Sequence, residues 1–252
     1  MKLKILTINI WRYYEWKKRK RKAIKFLKEQ DADIVILQEV AYDERLKEKY
    51  KNQLEEINKD LGYENYILSK LTKMNKWHAE PINWEMWYGL GVLSKYPIKN
   101  TELVILPRVK KERDFGFLHI VLETPGGDIN LINVHFENTD GGSKEHLKQT
   151  LEWCKKRDIT PIIAGDFNMR IFEDLKNMVE KEYFISYKIK NYFSFLPSEF
   201  TSDEKPITID YIIAHKSEFE IKLIECTEEK ISDHNPLIAY ILFNKLKIKK
   251  DF

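Results

Sequence analysis

Long apolar runs are missing from this chain. No stretch approaches the roughly 20 residues that a membrane-spanning helix needs. The opening MKLKILTINIW alternates too often to be the apolar centre of a secretion signal, so a cytoplasmic location is the expectation. Cysteine is scarce. Cys154 and Cys226 stand apart with no CxxC pair, which excludes a thiolate zinc cluster and a disulfide framework and leaves two buried reduced thiols. No CxxxxxR, P-loop or GxSxG motif occurs, which argues against cysteine-phosphatase, NTPase and α/β-hydrolase chemistry. Internal repeats and Pro/Gly-rich linkers are absent too, so residues 1–252 read as a single domain. A net charge of +3 permits an anionic substrate without marking a nucleic-acid protein.

What is present is a core-forming composition, with 43% hydrophobic and 33% charged residues. Alternation or short buried runs predict strands at Lys2–Ile10, Asp33–Glu39, Gly89–Lys95, Glu102–Leu106, Phe117–Glu123, Ile129–Phe136, Thr160–Ala164, Thr208–Ala214, Phe219–Ile224 and Leu237–Phe243. The turn Pro125-Gly126-Gly127-Asp128 predicts a hairpin. Helices are expected over Lys17–Gln30, over Asp43–Leu61 ending at Gly62, and over Ser143–Lys156 with Ser143 as N-cap. Lys245–Lys250 reads as a basic tail. The strand count suggests two packed mixed sheets with helices outside.

The informative feature is what ends each predicted strand. Asn9 closes the first, Glu39 the second and His135 the hairpin. Asp166 and Asn168 follow Thr160–Ala164, Asp210 sits within Thr208–Ala214, and Asp233 and His234 precede the last strand. Each alone has an ordinary explanation as turn former, cap or core histidine. An ionisable group at the end of a buried strand is costly without a partner. Their joint occurrence therefore points to one polar pocket on a rigid frame.

The residue types suit phosphoryl chemistry. Oxygen donors such as Asn9, Glu39 and Asp233 match Mg²⁺ or Mn²⁺, which bind through one or two carboxylates plus a substrate phosphate. Such a cation neutralises charge growing on phosphoryl oxygens. Asp166 with Asn168 can hold and polarise a water. His234, backed by Asp210, can face the phosphate as an imidazolium or act as a base.

LTINIW at 6–11, ILQEV at 36–40, INVHF at 132–136, GDFN at 165–168, IDYI at 209–212 and SDHNP at 232–236 occur in that order. Together they resemble the endonuclease/exonuclease/phosphatase superfamily over residues 6–236. The resemblance implies a four-layered α/β sandwich and dependence on Mg²⁺ or Mn²⁺. It implies Glu39 as principal metal ligand, Asn9 as a direct or supporting ligand, and Asp233 as a further metal-site carboxylate. It makes Asp166 and Asn168 the pair that orients water and binds phosphate, and Asp210–His234 an Asp–His dyad. His135 resembles the phosphate-contacting histidine of the deoxyribonuclease, sphingomyelinase and 5-phosphatase branches, which abasic-site endonucleases lack. Leu90 in YGLGVLSKYPI departs from the pattern, because many members carry an acid there. Whatever steadies His135 must come from elsewhere, with Glu80 and Glu85 as stand-ins.

The expected activity is metal-dependent hydrolysis of a phosphodiester, with DNA or RNA slightly favoured. The alternatives are a phosphomonoesterase or phospholipase of sphingomyelinase or inositol-phosphate type and, from another class, a catalytically silent binding module. Trp11, Trp87 and Tyr88 either stack on bases, grip a sugar or a membrane surface, or simply pack on the scaffold. Arg113 is a candidate phosphate contact. The run Lys17-Lys18-Arg19-Lys20-Arg21-Lys22 either follows a nucleic-acid backbone or is a solvated helix face.

Overall fold

A computed structural model describes residues 1–46, 48–50, 52–77, 80–196 and 205–244. The tail Lys245–Lys250 lies outside them. In chain order the elements are β1 (Lys2–Asn9), α1 (Trp16–Gln30), β2 (Ile34–Asp43), α2 (Gln53–Leu61), β3 (Asn65–Lys73), β4 (Lys76–Trp77) and β5 (Glu80–Pro81). Then come β6 (Met86–Ser94), β7 (Ile98–Leu106), β8 (Phe115–Thr124), β9 (Gly127–His135), α3 (Asp140–Lys156) and β10 (Ile162–Asp166). The chain continues through α4 (Phe172–Val179), β11 (Tyr183–Ile185), α5 (Ser186–Ile189), β12 (Asp210–His215), β13 (Phe219–Cys226) and β14 (Leu237–Phe243).

Two six-stranded sheets result, ordered β13-β14-β1-β2-β6-β3 and β11-β12-β10-β9-β8-β7. Each is mixed: β1 with β2 and β9 with β10 are parallel, and the other pairs are antiparallel. The period of two along a strand sorts residues between layers. Leu3 and Ile5 of β1 and Ile34 and Ile36 of β2 face the second sheet. Leu6, Ile8, Val35 and Leu37 face outward onto Ala23, Phe26 and Leu27 of α1 and Leu54 and Ile57 of α2. On the far side, Ile163 and Ile213 pack against Leu147 of α3 and Leu175 of α4. Helix, sheet, sheet and helix therefore stack as four layers. Each fully buried Leu or Ile adds about 2 kcal/mol of transfer free energy, and strands buried on both faces read as unbroken apolar runs for this reason.

Polar side chains stitch the two sheets. Gln38 donates to Thr7 Oγ1 at 3.1 Å and to Asn133 Oδ1 at 2.8 Å, and Asn133 donates to the carbonyls of Leu37 and Gly91. These residues are fully buried, so the bonds are needed to offset their desolvation. Motif letters in LTINIW, ILQEV and INVHF are thereby explained as a seam between sheets.

Several expectations are corrected. The predicted helix Asp43–Leu61 begins only at Gln53, because β2 continues to Asp43 in register with Met86 of β6. Asn52 is the actual N-cap, its side chain accepting from Glu55 N at 3.0 Å. Ser143 does not cap α3; Thr139 does, and Ser143 is buried one turn in, donating to the Thr139 carbonyl. The edge strand β3 escaped the sequence reading, since its exposed lysines blur the alternation, as edge strands commonly do. The short elements β11, α4 and α5 were also unanticipated. Both cysteines are free, but only Cys154 is buried; Cys226 is half-buried.

Candidate functional site

Register places the predicted residues side by side. In the second sheet, Asp166 at the end of β10 pairs with His135 at the end of β9 on one side and with Asp210 at the start of β12 on the other. Adjacent strands lie about 4.8 Å apart, so one row across the sheet presents His135, Asp166 and Asp210. Gly165 precedes Asp166 with φ +137°, and a Cβ there would sit 2.3 Å from the Val134 carbonyl oxygen. Only glycine fits, which explains the G of GDFN. In the first sheet β1 ends at Asn9. The pairing of β2 with β6 shifts register between Leu37 and Val40, and Glu39 there has φ +53°. Such a bulge re-aims a side chain, and this one turns Glu39 to the same edge.

The contacts close the group. His234 Nδ1 lies 2.7 Å from Asp210 Oδ2, leaving Nε2 at 3.9 Å from Asp166 Oδ2. Asn9 Nδ2 donates to Asp166 Oδ2 at 3.1 Å, and the Asn168 amide donates to Asp166 Oδ1 at 3.0 Å. Asn168 adopts φ +52°, which asparagine tolerates, and its side chain donates to the Phe136 carbonyl. His135 Nε2 stands 3.7 Å from Asp166 Oδ2 and 3.9 Å from Glu39 Oε1. Asp233 accepts from Ser232 Oγ at 3.0 Å, and the same hydroxyl reaches the Asn9 carbonyl at 2.6 Å, tying the SDHNP loop to the end of β1. Asn235 bonds to the 193–194 backbone and steadies that loop from the other side.

Burial and charge set the protonation pattern. Burial drives His135 down to about 3 despite the pull of Glu39, so this ring is neutral. Burial also acts against the His234 imidazolium, but Asp210, Asp233 and Asp166 outweigh it and lift it to about 10. Burial and the neighbouring Asp210 push Asp166 up. Glu39 is opposed by burial but held below the usual carboxylate range by the charges of Arg12 and Arg113.

Two arginines that complete the site sit on loops. Arg12 Nε opposes Glu39 Oε2 at 2.7 Å, an ion pair without hydrogen-bond alignment, and its guanidinium lies over the Tyr88 ring. Arg113 lies over the Phe115 ring, and its charge reaches Glu39 and His135. The loop behind Arg12 is fixed by Arg19, a buried guanidinium that donates to the carbonyls of Ile10, Trp11, Arg12, Tyr14 and Ile231. That bonding holds Trp11 and Arg12 at positive φ. The 107–113 loop is fixed by Glu137, fully buried, which accepts from the amides of Val109, Lys110 and Lys111 and from Thr139 Oγ1.

Of the predicted aromatics, Tyr88 is buried with its ring 6.1 Å from that of His135. Trp87, next along the strand, points to the opposite face and donates to Glu85. Trp11 packs on Tyr14 and on the Arg19 guanidinium. Glu85 is occupied by Lys70 and Trp87, and Glu80 is exposed on β5, so neither steadies His135. The rings of Tyr88 and Phe115 flank it instead, while Leu90 faces the inter-sheet core. Sequence reading missed Arg12, Arg19 and Glu137. Glu137 directly follows INVHF, so the strand-end criterion that selected His135 also selects it; nothing in the sequence separates Arg19 from its basic neighbours.

The donors fit a hard divalent cation. Asp166, Asp210 and His234 each offer a ligand atom, all within 4.8 Å of one another, and Asp210 Oδ1 is buried with no hydrogen-bond partner among the described residues. Over residues 6–234 the chain matches the model of the Endonuclease/Exonuclease/phosphatase family. The chain belongs to this family. Solved structures agree on its fold. The family protein from Leptotrichia buccalis C-1013-b is 18% identical with a TM-score of 0.75, covering 96% of this chain and 100% of its own. The human Nocturnin catalytic domain with bound sulfate is 18% identical, TM-score 0.70, with coverage of 96% and 95%. D. rerio TDP2 complexed with single strand DNA product is 16% identical, TM-score 0.64, with coverage of 96% and 99%. No curated protein sequence matches the chain. At such identities the likeness speaks for the endonuclease/exonuclease/phosphatase sandwich, and no helix among the described residues is long and apolar enough to cross a membrane.

Proposed function

We propose that this chain hydrolyses a phosphodiester with Mg²⁺ or Mn²⁺, and that nucleic acid is its substrate class. The observation that carries this is the row His135–Asp166–Asp210 with His234 locked onto Asp210 and facing Asp166. Glu39, Asp233 and the Asn9 amide oxygen are the donors we assign to the cation. When bound, the cation would offset charge on the phosphoryl oxygens.

The chain's own groups supply the rest. Asp210 fixes the orientation and the charge of His234, so the imidazolium presents Nε2–H to a phosphoryl oxygen, where a preorganised donor stabilises the developing charge. Asp166 has both oxygens fixed by Asn9 and Asn168 and is the group placed to orient a water and take its proton. Neutral His135 faces the gap between Glu39 and Asp166, suited to donate to a second phosphate oxygen. Arg12 and Arg113 add positive charge at the rim. TDP2 in its single strand DNA complex shares this fold, so the fold is one that accommodates a nucleic-acid product.

Activity on plasmid DNA, single-stranded oligonucleotides, RNA, sphingomyelin and inositol phosphates, with Mg²⁺, Mn²⁺ or EDTA, tests the reading. Turnover of a nucleic acid that EDTA abolishes, and that His234→Ala lowers on the order of 10³-fold, is expected. Turnover that survives EDTA, or that His234→Ala leaves intact, contradicts it. Turnover of sphingomyelin or inositol phosphates alone replaces the substrate.

A further inference from the structure

A series of clefts runs from the site along α1. The first, about 240 Å³, is lined by Arg12, Met74 and Trp77, and so begins at the residue paired with Glu39. It shares Trp77 with a second of about 1000 Å³, lined by Lys17, Lys20, Lys49 and the rings of Tyr13 and Tyr50, with Glu15, Asp43 and Glu56 as its acids. That cleft shares Lys17 and Lys20 with a third of about 480 Å³, where Arg21, Lys25 and Lys28 join them and Asp60 is the one acid among the described residues. Lys28 also lines a fourth, together with Lys95 and the acids Asp31 and Glu64.

The helix itself is built against its own stability here. Lys17, Arg21, Lys25 and Lys28 are spaced four, four and three apart, so they share one exposed face. Like charges at that spacing repel. The first turn carries no acid, so its cations oppose the helix macrodipole. Lys20 and Lys25 have acidic neighbours, Glu56 and Glu29. Lys17, Arg21 and Lys28 have no ion-pair partner among the described residues. From Lys17 to Lys28 the face extends about 17 Å. A small phosphate ester held at the site would leave such a face without a use; a linear polyanion would not.

Resting on the phosphodiesterase reading above, we infer that this track seats a single-stranded nucleic acid, with phosphates along the α1 cations and bases against the aromatic rings of the large cleft. Cations interleaved with rings in a concave path suit a strand that offers both phosphates and π-faces. An anionic membrane is the competing occupant and fits less well. It calls for apolar side chains projecting beside the cations, and of the exposed large hydrophobics among the described residues Leu46 alone lines these clefts.

Fluorescence anisotropy of a labelled 20-nucleotide single-stranded DNA, in EDTA across a KCl series, tests the track without turnover. The comparison is between the unmodified chain and the triple variant Lys17→Gln, Arg21→Gln, Lys28→Gln. All three positions are exposed, so folding is retained and circular dichroism checks it. Three lost phosphate contacts lower the slope of log K against log salt by about 2, with an affinity loss on the order of ten-fold or more at low salt. Equal slopes, or no oligonucleotide binding by the unmodified chain, overturn the track. So does oligonucleotide binding that the variant leaves intact while it loses phosphatidylserine vesicles. Hydrolysis of bis(p-nitrophenyl) phosphate by the unmodified chain, with Mg²⁺ or Mn²⁺ in place of EDTA, is read separately. Its absence with oligonucleotide binding intact overturns the phosphodiesterase reading and leaves the track standing.

Discussion

The two sides of the site are held by different means. On one side, His135, Asp166 and Asp210 stand at strand ends, and the hydrogen-bond ladder fixes their spacing. On the other, Arg12 and Arg113 ride on loops, and each loop is fixed by a buried charged side chain that captures backbone groups: Arg19 takes carbonyls, Glu137 takes amides. A strand-end residue inherits its position from the sheet. A loop residue needs a dedicated anchor, and that anchor satisfies backbone groups that the loop would otherwise bury unpaired. The anchors therefore count as part of the site although neither is placed against the phosphate.

This contrast can be broken by removing the anchors. Arg19→Met strips one guanidinium from the carbonyls of two separate loops, 10–14 and Ile231. Bonds to charged groups are worth about 1.5–3 kcal/mol each and are not additive; a loss of about 3 kcal/mol is expected. Urea unfolding measures it, and a change under about 0.5 kcal/mol, typical of surface sites, would show that the loop holds itself. Glu137→Gln is the milder case. The new amide group faces amide donors, and about 2 kcal/mol should be lost.

Glu137 also sharpens the contrast through pH. Burial works against its charge, but Thr139 and three backbone amides outweigh burial and hold its pKa below the ordinary carboxylate value. A depressed folded pKa means that stability is present above the unfolded value, about 4.3, and is lost as pH falls through the folded one. Thermal melts of the unmodified chain should show this acid-side loss, and the Gln variant should show less of it. Identical acid profiles would remove Glu137 as the anchor.

Legibility in the sequence follows the same division. The sandwich could be read from two-faced apolar runs such as Ile34–Leu37, and the acid row could be read because Asp166, Asp210 and His135 end or begin such runs. The family motifs pointed to the same residues. Where β2 stops could not be read, because its extension to Asp43 depends on β6, some forty residues on. Asn52 with Glu55 carried a legible capping signal for α2 that a longer helical pattern obscured. Arg19 sat in plain view within a basic run, yet its burial depends on Ile231, which is 212 positions away. Long-range capture of backbone groups leaves no periodicity to detect.

The central claim is that Glu39 of the first sheet holds the cation beside the second-sheet row that faces the phosphate. Mn²⁺ titration by calorimetry, comparing the unmodified chain with Glu39→Gln, tests it most directly, because the second-sheet acids Asp166 and Asp210 stay intact in that variant. Saturable binding that Glu39→Gln weakens on the order of ten-fold or more, with its melting profile retained, is the predicted result. Mn²⁺ bound equally by both proteins would contradict it.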